Sequence, residues 1–115
     1  MKSIREQIKI QRLLEIKKIV DRDKAGELFV IVRTNKNIDF MREYGLNNED
    51  VKNIVRRLAV EDCFAGPEAD RSEKHSGMVF IFDPMFDNIK LYVKIRYESQ
   101  EMAVCISVHE FGKYD

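Results

Sequence analysis

Apolar positions recur at helical spacing in the first half of the chain and alternate in the second. Leu13, Ile16 and Val20 fall three and four residues apart, and Ile4 and Ile8 carry the stripe toward the start. Lys9, Glu15, Lys17 and Lys18 occupy the other faces, so the pattern predicts an amphipathic helix. Its exit reads as Asp21-Arg22-Asp23-Lys24-Ala25-Gly26, with Gly26 as the C-terminal stop. Residues 28–32, Leu-Phe-Val-Ile-Val, form a short β-rich run that predicts a strand. A helical turn or two follows from Ile38 to Tyr44 and stops at Gly45. Asn47 then suits an N-cap, with Asp50 three residues on to close a capping-box-like start. Val51, Ile54, Val55 and Leu58 give the next helix one apolar face.

The stretch 61–77 is polar and holds the breakers Gly66-Pro67, which predicts the longest loop of the chain. Three strand signals follow, over 78–82, 89–97 and 102–108. Asp83-Pro84 and Asp87-Asn88 bracket the first connection, and Glu98-Ser99-Gln100-Glu101 is short enough for an antiparallel hairpin. The expected fold is α+β, with N-terminal helices packed on one face of a mostly antiparallel sheet. The chain reads as a single domain, 1–115. Within it lie a helical N-terminal extension (1–11), a helix-rich half (12–60), the loop (61–77) and the antiparallel strands (78–115).

Alternation along the longest strand separates its side chains cleanly. Ile89, Leu91, Val93 and Ile95 share one face, and Lys90, Tyr92, Lys94 and Arg96 share the other. The next strand repeats the split, with Met102, Val104, Ile106 and Val108 expected inward and Cys105, Ser107 and His109 outward. Closing the hairpin with Tyr97 opposite Met102 puts Lys94 opposite Cys105, Tyr92 opposite Ser107 and Lys90 opposite His109. A one-residue slip would scramble this register. The outward face then gathers two lysines, an arginine, a tyrosine and a histidine. It reads either as the solvated side of a sheet or as a surface that binds or cleaves phosphodiesters. Ribonucleases that work without metal need a base for the ribose 2′-hydroxyl, cations for the phosphate charge, and an acid for the departing 5′-oxygen. His, Tyr, Lys and Arg are the residue types for those roles, and histidine is the type suited to giving and taking a proton near neutrality. Arg71, Lys74 and His75 offer a second basic cluster that could grip flanking RNA, and Arg33 and Lys36 are further candidates. Each of these also reads as an ordinary solvated side chain.

Composition narrows the classes. Lys plus Arg number 20, as do Asp plus Glu, so the formal net charge is zero, which argues against a polycation that coats nucleic acid. Hydrophobic residues at 44% and charged residues at 35% describe a globular domain and not a disordered tail. No apolar run approaches the ~20 residues of a membrane span, and the opening Met1-Lys2-Ser3-Ile4-Arg5-Glu6 lacks a signal-peptide core. The expected location is the cytoplasm. Cys63 and Cys105 stand far apart without CxxC partners, so reduced thiols are expected and neither a disulfide scaffold nor a four-thiolate zinc site is. Cys105, set among apolar strand residues, reads as packed. His75 and His109 are the only histidines, and no spacing links them as metal ligands. No Gly-rich loop opens a helix, so no cofactor is expected.

Read in order, several segments carry a resemblance. They are Glu61-Asp62-Cys63-Phe64-Ala65-Gly66-Pro67-Glu68-Ala69-Asp70, Val79-Phe80-Ile81-Phe82, Leu91-Tyr92-Val93-Lys94-Ile95 and Val104-Cys105-Ile106-Ser107-Val108-His109-Glu110. In the first half, Arg33-Thr34-Asn35-Lys36-Asn37-Ile38-Asp39-Phe40 and Gly45-Leu46 before the next helix belong with them. The ordered set, from Leu13 to Glu110, resembles the MqsR-like family of type II toxin-antitoxin toxins. The resemblance implies a RelE-like fold and a metal-independent endoribonuclease, an mRNA interferase held inactive by a cognate antitoxin. Tyr92 and Lys94 match its Y-x-K strand, His109 its terminal basic position, and Asp70 the aspartate after Gly-Pro. The expected reaction is attack of the 2′-hydroxyl to leave a 2′,3′-cyclic phosphate. His109, Lys94 and Tyr92 would be catalytic, and Arg96, Lys90, Arg71, Lys74 and His75 would bind RNA. The sequence departs from the pattern at Cys63, Ala65 and Ile81 and in its zero net charge. Those departures support the other reading, a non-catalytic RNA- or protein-binding regulator on the same scaffold. A homodimer is open in either case.

Overall fold

The computed structural model describes residues 2–69 and 77–114. Its elements run α1 (Ile4–Arg22), β1 (Phe29–Ile31), α2 (Asn35–Glu43), α3 (Asn48–Arg56), a 3₁₀ turn (Val60–Asp62), β2 (Cys63–Ala69), β3 (Met78–Phe82), β4 (Met85–Phe86), β5 (Ile89–Ser99) and β6 (Met102–Glu110). Three helices pack against a mixed, mostly antiparallel sheet of order β1-β6-β5-β3-β2, with β4 paired to β5. Among the described residues, only β1 and β6 run parallel. Among the described residues no helix is long and apolar enough to cross a membrane.

The helices form where the apolar spacing places them. Ser3 caps α1 by accepting from the Glu6 amide, and the helix continues from there without interruption through the expected extension. Its second half does the packing, with Leu13, Ile16, Ile19 and Val20 buried while Ile4 stands exposed. It stops at Arg22, capped by Asp23, three residues earlier than the Gly26 stop. The reason is that the Asp23 carboxylate accepts from the amides of Gly26, Leu28 and Phe29 and so ties the exit to the start of β1. Lys52, a charged residue on the buried side of α3, closes the same site with Nζ 2.6 Å from Asp23 Oδ2. Burial pushes the Asp23 pKa up, but Lys52 and the three amides outweigh it and hold the carboxyl at about 2.

Helix α2 starts at Asn35, earlier than Ile38, because Thr34 caps it by accepting from the Asn37 amide. Gly45 follows the Tyr44 cap with φ 64°, a conformation that favours glycine. At α3 the expected capping box is present, Asn47 and Asp50 bonding each other's backbone amides. Asp87 and Asn88, both at positive φ, turn β4 into β5.

The segment 61–77 is not one long loop. Residues 63–69 are an edge strand, antiparallel to β3. Two register shifts, between Cys63 and Ala65 and between Ala65 and Glu68, let Gly66-Pro67 sit within that strand. A Cβ at Gly66 would lie 2.4 Å from the Val79 carbonyl oxygen, so only glycine fits there. Proline is tolerated because β2 has a neighbour on one side only.

The register of β5 and β6 also differs from expectation. Lys94 pairs with Ser107 and Ile95 with Cys105, which leaves Ile106 as an extra residue, a β-bulge. On the near side of the bulge the faces are reversed: Cys105 and Ala103 enter the core, while Val104 pairs with Arg96 on the opposite face. Val108 is core as expected, and His109 comes to lie opposite Tyr92 instead of Lys90.

Asn37 supports the bulge. Its amide, 1% exposed, donates to the carbonyls of Val32 (2.8 Å) and Ile106 (3.0 Å). It accepts from the Val108 amide (2.9 Å). β1 has ended by this point, so one side chain takes over the hydrogen bonds that a longer strand would supply. Asn37→Ala leaves three backbone groups without this partner and is expected to destabilise the fold by about 3 kcal/mol in urea denaturation. Asn37→Asp, which cannot donate to either carbonyl, should cost at least as much at neutral pH. A loss below about 0.5 kcal/mol in both variants, as at an ordinary surface site, would remove Asn37 from this role.

Candidate active site

The sheet face away from the helices carries the candidate residues of β5 and β6. Leu91, Val93 and Ile95 face the core, so Tyr92, Lys94 and Arg96 face the other way, beside Ser107 and His109 on β6. The corrected register stacks His109 on Tyr92, with ring centroids 5.3 Å apart and planes 12° from parallel. Tyr114 meets the histidine edge-on at 4.9 Å, and His109 is 8% exposed. Its Nδ1 lies 3.0 Å from the Glu110 carbonyl oxygen. A carbonyl can only accept, so in the neutral ring Nδ1 carries the hydrogen and Nε2 keeps the lone pair.

Glu110 is itself held in place. The Tyr44 hydroxyl, at the end of α2, donates to its carboxylate. That bond, with burial and the nearby carboxylate charges, raises the Tyr44 pKa to about 12. A helix end thus braces the strand end that carries the histidine.

The expected cations do not behave alike. Lys94, half-buried and opposite both Ser107 and Ile81, makes no ion pair among the described residues. Arg96 is buried, not an open phosphate contact. Its Nε lies 2.9 Å from Glu98 Oε1, and it is flanked across the sheet by Val79 and Val104. Lys90 is exposed and reaches Asp83 at 3.3 Å while its ammonium sits 5.0 Å from the Phe111 ring centre. Lys36 comes close as well, 5.1 Å from the Tyr114 ring centre. Arg33 is elsewhere, lining a cavity of about 660 Å³ beside Asp23, Lys52 and Asn47 that none of the sheet-face candidates enters. Asp70, Arg71, Lys74 and His75 lie outside the described residues.

Four aromatic residues join the site unannounced: Phe64, Phe111, Tyr114 and Tyr44. Continuing the outward alternation of Ser107 and His109 by one step reaches Phe111, so that signal was present in the sequence. Phe64 depends on the first β2 register shift, which no periodicity reveals. Both cysteines are buried, and burial pushes the Cys105 thiol up to about 12, which leaves it unreactive. Among the described residues, no group of three or more His, Cys, Asp or Glu is placed to hold a metal ion.

Comparison of the chain with protein-family models, with curated proteins and with solved structures gives no match.

The hydrogen bond to Glu110 makes a direct spectroscopic prediction. Long-range ¹H–¹⁵N correlation of the neutral imidazole should report the Nδ1-protonated tautomer for His109. A signal pattern for Nε2–H would contradict the arrangement.

Proposed function

We propose that this protein is a metal-independent endoribonuclease of the RelE/MqsR-like kind. On this reading it is the toxin of a type II pair, acts on mRNA in the cytoplasm and is restrained by a cognate antitoxin. The observation that carries the proposal is the Tyr92–His109 stack, set two residues along the strands from the Lys94–Ser107 pair. The order of the sequence motifs and the packing of helices against a mostly antiparallel sheet support the same family.

The chemistry follows from the groups present. Nε2 of His109 takes the proton of the ribose 2′-hydroxyl. The 2′-oxygen attacks the adjacent phosphorus, the bond to the 5′-oxygen breaks, and that oxygen takes a proton from solvent to leave as a 5′-hydroxyl. A 2′,3′-cyclic phosphate remains. The Lys94 ammonium stabilises the charge on the phosphorane-like oxygens. Tyr92 holds the imidazole by stacking and orients the substrate. Arg96, paired with Glu98, has no direct part in this step and shapes the site beneath it.

Two observations favour the second reading, an RNA- or protein-binding regulator on the same scaffold. The histidine is 8% exposed, and two of the three β5 cations have carboxylate partners. An assay separates the two. With EDTA present, purified protein should cut single-stranded RNA to 2′,3′-cyclic phosphate ends. Lys94→Met and His109→Asn, verified as folded by circular dichroism, should each lower the rate by about 100-fold or more. Undiminished cutting by both variants would remove these residues from the mechanism. Tight binding of RNA by the wild type with no cleavage would establish the regulator instead.

A further inference from the structure

We propose that Phe64, Tyr92 and Phe111 form a stacking subsite for an unpaired nucleobase next to the scissile phosphate. The inference rests on the endoribonuclease reading for its substrate and deepens it by saying where a base sits. The three rings are mutual neighbours: Phe64 to Phe111 at 5.8 Å, Tyr92 to Phe111 at 6.2 Å, and Phe64 to Tyr92 at 6.4 Å. They come from three separate places, the β2 edge, the middle of the sheet and the end of β6. Phe64 is 49% and Phe111 43% exposed, although burying an aromatic ring is strongly favourable. Phe64 is the extra residue between the Cys63–Phe82 and Ala65–Ile81 pairs, so a bulge aims it out of the ladder.

The chemistry around the rings selects the ligand. An aromatic face with an open side accepts a base by stacking, and every base has such a face. Lys90 stands over Phe111, where its ammonium can meet the phosphate attached to a stacked base. Tyr92 belongs both to this cluster and to the stack on His109, so a base placed here puts its own sugar and phosphate near Nε2. A duplex keeps its bases inside, so the subsite takes single-stranded RNA.

The sequence contains no tryptophan, which gives a clean probe. Phe64→Trp places one indole in the cluster, and titration with a 2′-O-methyl oligoribonucleotide, which cannot cyclise, should quench its emission. The matching duplex should not. Phe64→Ala and Phe111→Ala should each weaken binding of the single strand by about 10-fold, with Phe64→Tyr close to wild type. Cleavage by the wild type with binding and cutting unchanged in both alanine variants overturns the subsite and leaves the nuclease reading standing. That result would assign the exposed rings to a protein partner. Quenching and weakened variants without any cleavage would uphold the subsite and defeat the nuclease. No binding of single-stranded RNA by the wild type would defeat both.

Discussion

The Asn37 carboxamide holds the site in register. β1 stops short of the point where β6 still needs a neighbour, and one buried side chain fills the place of the missing peptide. The bulge at Ile106 that it supports decides which β6 side chains enter the core and which face outward. Without that extra residue, the alternation along β6 would carry Cys105 out of the core, or carry His109 and Ser107 into it. Because the side-chain period of a strand is two, a single residue is enough to do this. The position of the proposed base is therefore fixed from α2, by a hydrogen-bonding group at the edge of β6 where β1 has ended.

Two further polar anchors work in the same way. Asp23 and Lys52 tie the end of α1, the start of β1 and the buried side of α3 around one charge pair. Removing one member of such a pair is costlier than the pair's net contribution, because the other charge is left buried. Tyr44 reaches from the end of α2 to Glu110. Residues from α1, α2 and α3 thus brace the two strands beside them, while the far face of the sheet carries the proposed site.

Much of this was legible in the chain. Periodicity located the helices and three main strands, and capping chemistry placed the start of α3 at Asn47 and Asp50. The inward face of β5 followed from its alternation alone. What failed had long-range causes. β2 read as a loop because Gly66-Pro67 and its polar neighbours speak locally against a strand, and only pairing with β3 makes it one. The β6 register was missed because a bulge is a backbone event supported from another element. Asn37 stood inside a recognised motif, yet nothing local says what its amide reaches. Nothing in the local pattern marks Lys52, which meets Asp23 only through the fold. The candidates His109, Tyr92 and Lys94 were proposed from the strand pattern and the resemblance, but their mutual arrangement came only with the corrected register.

The zero net charge also takes on a spatial meaning. Carboxylates pair with cations on the helices, as at Arg56 with Asp21 and Glu49, and two sheet-face cations are matched as well. Lys94 keeps its charge available among the described residues, which suits one focused contact better than a broad basic surface. The most direct test is to map RNA binding onto the assigned amide spectrum, with a 2′-O-methyl oligoribonucleotide and EDTA present. The account predicts that the largest shift changes fall on Tyr92, Lys94, Ser107 and His109. Changes concentrated instead at Arg33, Asn47 and Lys52, around the cavity at the other edge of the sheet, would contradict it.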